Sequence, residues 1–352
     1  MDNKQLIVRK MKAGEEKDVL RVGRKAFEII EALFLSKAKD AVVAILDGKI
    51  VGGIQYKALN TSQKKIVYID GAFVDPDYHG MGIGKKLYHE TFRILQKEGY
   101  EAITALVKND NVGSWKLFLD NGFKRASFKE IINQLGLMGT IKQYVQTPYC
   151  IGLGMDFYLW GKAEKSQEKA KSMSPVLAFF LCNLLFAFPM WINLWAETPK
   201  QLGLFLPAYI MMLMLYILPR YIGALCYKKP WHFQFNNAGS LLPIILGIWN
   251  SVFPMNMNWN PDTYENTDQF RKYLAMPELA KWGIFSLLAL LSLLEQPFCK
   301  ILGAMSYAHL IYASIPLYPF ECYGAGRIYR YSKKLWLTTC IITVIEVFLV
   351  LG

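Results

Sequence analysis

The run from Ser172 to Ala196 contains 25 consecutive residues without a charge. As a helix rising about 1.5 Å per residue, it is long enough to cross a hydrocarbon layer of about 30 Å. Residues 201–219 and 301–320 are also uncharged and long enough, and residues 335–352 form a weaker run carrying Glu346. Two stretches are ambiguous. Residues 238–254 are apolar but broken by Pro243, Asn250 and Pro254, and residues 282–294 are short unless Lys281 and Glu295 snorkel. The expectation is an all-α polytopic membrane domain over 174–352, with four to six spans.

Charge divides the chain in the same place. Residues 1–173 hold 28 Lys+Arg and 20 Asp+Glu, whereas residues 174–352 hold 12 and 8. This predicts a soluble domain over 1–161, a charged linker over 162–173, and then the apolar half. The basic excess suits an acidic cofactor, an anionic lipid surface or nucleic acid. No nucleic-acid motif is present and the lysines are scattered, so cytoplasm-facing basic residues on a membrane protein are expected, with lipid as the partner. The polar opening "MDNKQLIVRKMKAGEEKDVL" does not read as a signal peptide, which predicts a cytoplasmic N-terminal domain. The basic clusters at 220–229 and 327–334 are expected on the same side, and the acidic stretch 255–270 outside. A strict six-span count breaks that pattern, which makes 238–254 a re-entrant candidate. The six cysteines include no CxxC pair, so free thiols are expected rather than a zinc knuckle or a disulfide framework.

The first half alternates strand and helix patterns. Residues 5–9 read as a strand, and residues 15–37 have helical spacing through Val19, Ala26, Ile29, Ile30 and Leu33. Two strands flank the turn Asp47-Gly48, and "KIVYIDGAFV" is a further strand. "KKLYHETFRILQKEG" is a helix ending at Gly99, "EAITALV" a strand, and "NVGSWKLFLDNGF" a short helix ending at Gly122. Last strands are expected within 123–129 and 149–160. The class is α/β with a mixed central sheet.

Between strand and helix lies "YHGMGIGKK", residues 78–86. It is not a P-loop, because His79 stands where the first glycine belongs and Lys86 where Ser or Thr belongs. It is not a dinucleotide fingerprint, because Gly84 comes one residue early. What remains is a strand, a loop of accessible N–H groups, and a helix N-terminus. Such a nest binds a pyrophosphate, and Lys85 and Lys86 add positive charge.

His79-Gly80-Met81-Gly82-Ile83-Gly84 resembles motif A of the GNAT acetyltransferases, Q/R-x-x-G-x-G/A. A second segment, "NDNVGSWKLFLDNGFK", is similar to that family's N-x-x-A/S-x-x-L-Y/F-x-x-x-G-F element through Asn111, Ser114, Leu117, Phe118, Gly122 and Phe123. The resemblance covers roughly residues 5–161. It implies an α+β GNAT fold, acetyl-CoA or another acyl-CoA as cofactor, and an amine as acceptor. By similarity the pantetheine arm would pair with Ala72, Phe73 and Val74. The pyrophosphate would sit on the amides of His79 through Lys85, Asn111 and Ser114 would line the other wall, and Phe118 would count among the cofactor-binding residues. Two departures stand out. His79 replaces Arg or Gln, and Phe118 replaces the tyrosine that in many members protonates the leaving thiolate.

An amine nucleophile must lose a proton near neutral pH. By strand alternation Asp70 and Tyr68 share the face of Ala72, and Asp70 is either a general base or a solvated strand-end carboxylate. His89 is expected on the surface. In the apolar half, "YASIPLYPFECYGAGRIYRYSKKLW" resembles the loop and helix that carry an aspartate ligand in intramembrane site-2 proteases, with Cys322 and Tyr323 in place of Asp-Gly. Residues 217–229 are similar to a decayed counterpart of that family's HExxH helix. This resemblance implies a metal-free pseudo-protease, which an acyl-CoA-sensing first domain would regulate; the other reading of the apolar half is a generic helical anchor holding an N-acyltransferase at the membrane.

Overall fold

A computed structural model describes residues 6–27, 32, 35–108, 111–147, 155–161, 174–197, 202–227, 230–235, 257–261, 265, 267–314 and 324–351. The expected linker at 162–173 and the proline-broken stretch 238–254 lie outside these residues. The chain divides into two compact units, residues 1–148 with 155–168, and residues 149–154 with 169–352.

The first unit is built on a seven-stranded sheet in the order β1-β2-β3-β4-β5-β7-β6. The strands are β1 (Ile7–Lys10), β2 (Asp40–Leu46), β3 (Lys49–Ala58), β4 (Ile66–Val74), β5 (Ala102–Val107), β6 (Lys124–Arg125) and β7 (Asp156–Gly161). All neighbours are antiparallel except β4 and β5, so the sheet is mixed. The β2–β3 turn places Asp47 at φ 50° and Gly48 at φ 75°, the paired left-handed residues that a tight hairpin requires.

Four helices cover the sheet. Helix α2 (Ile83–Lys97) and α3 (Val112–Asp120) bury Ile83, Leu87, Phe92 and Phe118 on one face, with Val67 and Ile69 of β4. Helix α1 (Glu16–Ala26) packs Val19 and Val22 against Phe73 on the other face. There too lies α4 (Phe128–Gln146), which buries Ile131 and Leu135 against Ile66 and Tyr68. The sequence pattern placed a strand over 123–129 and left 130–148 unassigned. The strand stops at Arg125, and Ser127 starts α4 through a reciprocal capping box with Glu130.

The second unit holds α5 (Pro175–Phe186), α6 (Phe188–Glu197), α7 (Leu202–Cys226), α8 (Asp268–Leu290), α9 (Pro297–Ser314), α10 (Ala325–Tyr331) and α11 (Lys333–Leu351). Three stretches are helical, long and apolar enough to cross a membrane: 175–192, 203–226 and 268–293. The all-α expectation is corrected by a two-stranded antiparallel sheet, β8 (Trp231–Phe235) with β9 (Met257–Pro261). A reading by length and charge alone passes over short strands between helices.

The stretch 282–294 is not short, because α8 starts at Asp268. Nor does Lys281 snorkel. It is buried and paired with Glu278 one turn earlier. Glu278 also takes both arms of Arg220, at 2.7 and 3.0 Å, and approaches Arg327 at 3.4 Å. Arg327 donates in addition to the Trp259 carbonyl at 3.1 Å. One carboxylate thus joins α7, α8 and α10 inside the unit.

Candidate active site at the β4–α2 junction

The register of β4 against β3 shifts between Gln55↔Gly71 and Tyr56↔Ile69, leaving Asp70 as one extra residue. Such a bulge reverses the alternation of side chains. Tyr68 therefore packs on the α4 face, while Ala72 and Val74 pack on the α2 face with Val67 and Ile69. This corrects the expectation that Tyr68, Asp70 and Ala72 share a face. Tyr68 is buried in the core. Asp70 remains partly exposed and forms a 2.8 Å ion pair with Lys57.

The same point marks a parting of strands. The β4–β5 ladder runs from Ile66↔Ala102 to Ile69↔Ala105, whereas β5 continues to Val107 against β7. Beyond Ile69, β4 and β5 are no longer paired. Ala72, Phe73 and Val74, expected to meet a cofactor arm, lie on this separated end. Phe73 points its ring into the α1 side. The Val74 carbonyl accepts a hydrogen bond from His79 Nε2 at 3.1 Å. The tautomer with hydrogen on Nε2 follows, since a carbonyl can only accept.

After a short 3₁₀ turn over Pro76–Tyr78, the chain enters the glycine loop. Gly80 (φ 79°) and Gly82 (φ 73°) are left-handed, a conformation that side chains disfavour. A Cβ added at either would meet no atom within 4 Å, so the loop forms an open cradle. Gly82 opens α2 without a side-chain cap, which leaves the first-turn amides of Ile83, Gly84 and Lys85 unserved by a capping group. The Ile83 side chain belongs to the core, whereas Met81, Lys85 and His89 are exposed. Lys86 reaches the Leu6 carbonyl at 2.9 Å. Gly84 is not left-handed. Its added Cβ would meet Leu117 and Val74 at ordinary contact distances of 3.7 and 3.8 Å, so the third glycine is not sterically required.

Asn111 caps α3, its side chain accepting from the Ser114 amide at 3.1 Å. The Ser114 hydroxyl lies 2.8 Å from that of Tyr88, tying α3 to α2. Burial pushes the Tyr88 hydroxyl up to about 12, with the Ser114 bond opposing the shift. Phe118 is 2% exposed and packs edge-on to Tyr88 and Phe123. It is a core residue rather than part of an accessible wall, which corrects its assignment to the cofactor site.

One residue was missed. Gln55, opposite Gly71, is 2% exposed, and neither polar atom of its side chain has a partner among the described residues. A buried amide without a partner costs about 1–3 kcal/mol. A lone glutamine in the apolar-rich pattern "KIVGGIQYKA" was the available signal.

The comparisons with known proteins agree with the glycine loop. Residues 13–123 match the model of the acetyltransferase (GNAT) family. No curated protein matches the sequence. Among solved structures, N-acetylglutamate synthase from Neisseria gonorrhoeae, complexed with coenzyme A and N-acetyl-glutamate, is 17% identical with a TM-score of 0.35. That match covers 46% of this chain but only 36% of the synthase. A GNAT family N-acetyltransferase from Escherichia coli, in complex with CoA, is 21% identical with a TM-score of 0.30, covering 35% of this chain and 71% of that one. A GNAT family acetyltransferase from Brucella melitensis, in complex with acetyl-CoA, is 25% identical with a TM-score of 0.28, covering 35% and 84%. Residues 13–123 of this chain are a GNAT acetyltransferase domain, and the helical unit lies outside the match.

Proposed function

We propose that the chain is a membrane-anchored N-acyltransferase that transfers an acyl group from acetyl-CoA, or another acyl-CoA, to an amine by direct attack. The observation that carries this reading is the open cradle of Gly80 and Gly82 leading into the uncapped start of α2. It suits a pyrophosphate, because backbone N–H groups and a helix N-terminus both favour anions. Acyl-CoA is the cofactor that the family match implies, and when bound it supplies an activated thioester carbonyl. The amides from His79 to Lys85 would hold its phosphates, with Lys85 adding charge. The end of β4 that has left β5, at Ala72 and Phe73, would hold its arm, whereas the Val74 carbonyl is engaged by His79. Asn111 and Ser114 serve through the placement of α3.

Asp70 would accept the proton of an incoming amine, directly or through water. Lys57 already sets an ammonium 2.8 Å from that carboxylate, which marks where a substrate amine can pair. Tyr68, being in the core, acts by fixing the bulge. Gln55 can orient an acceptor through its amide. Position 118 offers no hydroxyl for the leaving thiolate.

The membrane setting is supported by the three apolar helices and by the sidedness of the second unit. Helix α11 buries Thr339, Thr343 and Glu346 and exposes Leu337, Ile341, Val344, Phe348 and Leu349. Only an apolar surrounding favours that arrangement. On this reading α9 and α11 can add to the three spans, and the first unit faces the cytoplasm. The acceptor is then an amine presented near the membrane, at raised effective concentration.

The test is acetyl-CoA-dependent thiol release by the full chain in lipid nanodiscs, across a panel of amines. Turnover that disappears in Gly82→Glu and falls steeply in Asp70→Asn is expected. Phe118 favours a second reading, an acyl-CoA sensor that biases the helical unit. CoA binding that Gly82→Glu abolishes, with no turnover on any amine, would select the sensor. The pseudo-protease form of that reading joins Arg220 and Arg327, from the two compared segments, through Glu278. Pro316, Pro319, Cys322 and Tyr323 lie outside the described residues.

A further inference from the structure

Helix α4 has two apolar faces and uses only one of them. Ile131, Leu135, Gly139 and Gln143 are buried against the sheet, where the Thr104 hydroxyl donates to Gln143 at 2.7 Å. Beyond the break at Gly136 (φ 72°), Leu137, Met138, Ile141 and Val145 are 47–69% exposed. At 3.6 residues per turn these four fall within an arc of about 100° on the side away from the sheet. Capping and packing fix that direction. Ser127 and Glu130 lock the start, the Thr140 hydroxyl bonds the Gly136 carbonyl at 2.8 Å, and Lys142 reaches the Asn60 carbonyl at 2.8 Å.

Charge is distributed to match. Between residues 131 and 155 there is no Asp or Glu, and Lys142 is the one charged residue. Lys129 lies exposed in the first turn. From residue 131 onward, an apolar stripe flanked by Lys142 and free of acids complements an anionic lipid surface. A second copy of the chain is a poorer occupant. Four partly exposed aliphatic side chains fall short of the about 800 Å² per partner that a stable dimer buries. A weak apolar contact suffices for lipid when the same chain is already tethered to the membrane.

We propose that α4 of the acetyltransferase domain lies on the membrane surface, with Leu137, Met138, Ile141 and Val145 immersed at the boundary between headgroups and acyl chains. This rests on the membrane-anchored reading above. It adds that the domain is held against the lipid by its own helix, so the site works beside the bilayer rather than at the end of a free tether.

The test uses the full chain, with its native cysteines replaced, in vesicles of phosphatidylcholine and phosphatidylglycerol. An environment-sensitive fluorophore is placed through Met138→Cys or Val145→Cys, and through Asn133→Cys as a control on the same helix. The expected result is a blue-shifted emission at 138 and 145. It should be quenched by nitroxide lipids and protected several-fold from aqueous iodide relative to 133. Labels at 138 and 145 that iodide quenches as readily as 133, in protein that floats with the vesicles, would overturn the proposal. So would labels shielded from both quenchers, since protein would then cover the stripe. Protein that fails to float with the vesicles would instead refute the membrane anchoring itself. Position 145 keeps the test open if substitution at 138 disturbs the helix.

Discussion

Both units of this chain bury an apolar core, but they treat charge differently. In the first, each described ion pair keeps at least one partner in water, including the better covered ones, Arg125–Asp156 and Lys57–Asp70. The core is mainly Val, Ile, Leu, Phe, Tyr and Ala, with a few buried polar side chains such as Gln55, Thr104 and Gln143. In the second, Arg220, Glu278, Lys281 and Arg327 are buried, while leucines and isoleucines cover the outside. The difference suits the membrane setting proposed above for the second unit. Charge turned inward and hydrocarbon turned outward cost free energy in water and are favoured in lipid.

The largest effect is expected where the buried charge cluster of the second unit is broken. Glu278→Ala would leave Arg220, Lys281 and Arg327 without their shared carboxylate and destabilise the second unit by about 3–5 kcal/mol. Thermal unfolding of the full chain in nanodiscs reads this out. A variant as stable as the parent would show that the cluster is not a structural hub.

A pair of glycines sharpens the same contrast. Gly324 is left-handed (φ 85°), and its Cβ would overlap the Glu278 carboxylate, so Gly324→Ala should cost about 2–4 kcal/mol. Gly84→Ala, in the first unit, meets open contact distances inside a helix and should stabilise by about 0.5–1 kcal/mol. Melting temperatures that move in opposite directions are the expected outcome.

Gln55→Leu replaces a buried amide that has no partner among the described residues. It should raise stability by about 1 kcal/mol. If the amide orients the acceptor, the KM for the amine should rise while the KM for acetyl-CoA stays unchanged. A rise in both would assign Gln55 to packing alone.

The smallest effect belongs to the surface of the first unit. The bidentate bond from Arg9 holds the Glu15 carboxyl down to about 2, with the Lys12 amide assisting. A lowered carboxyl contributes stability above its unfolded value, and that stability is lost as the pH falls through the folded one. The stability gap between the parent and Glu15→Gln should therefore be constant above about pH 5 and close progressively toward pH 2. A gap that is flat with pH would show that the pair contributes by packing only.

Much of the first unit was legible in the sequence. Alternation located β2 to β5, Asp47-Gly48 set the hairpin, and the glycine loop fell between strand and helix as expected. Helix α4 was not seen because its buried and exposed faces are both apolar, which erases the amphipathic period. Its Ser127–Glu130 start signal was present. In the site, the glycine positions were readable because left-handed backbone selects glycine locally. The facing of Tyr68 was not, because a one-residue bulge inverts the two-residue period on which such a reading depends.

By itself the sequence determined the division into a charged and an apolar half, the mixed α/β pattern and the place of the glycine loop. Each rests on composition or on short-range geometry. Only the tertiary structure decided that Tyr68 and Ala72 face opposite sides, that Phe118 is core, that Lys281 turns inward and that α4 presents a bare apolar stripe. These depend on partners far away in the chain, as Arg220 is from Glu278, and no local pattern records which distant residue will meet a side chain.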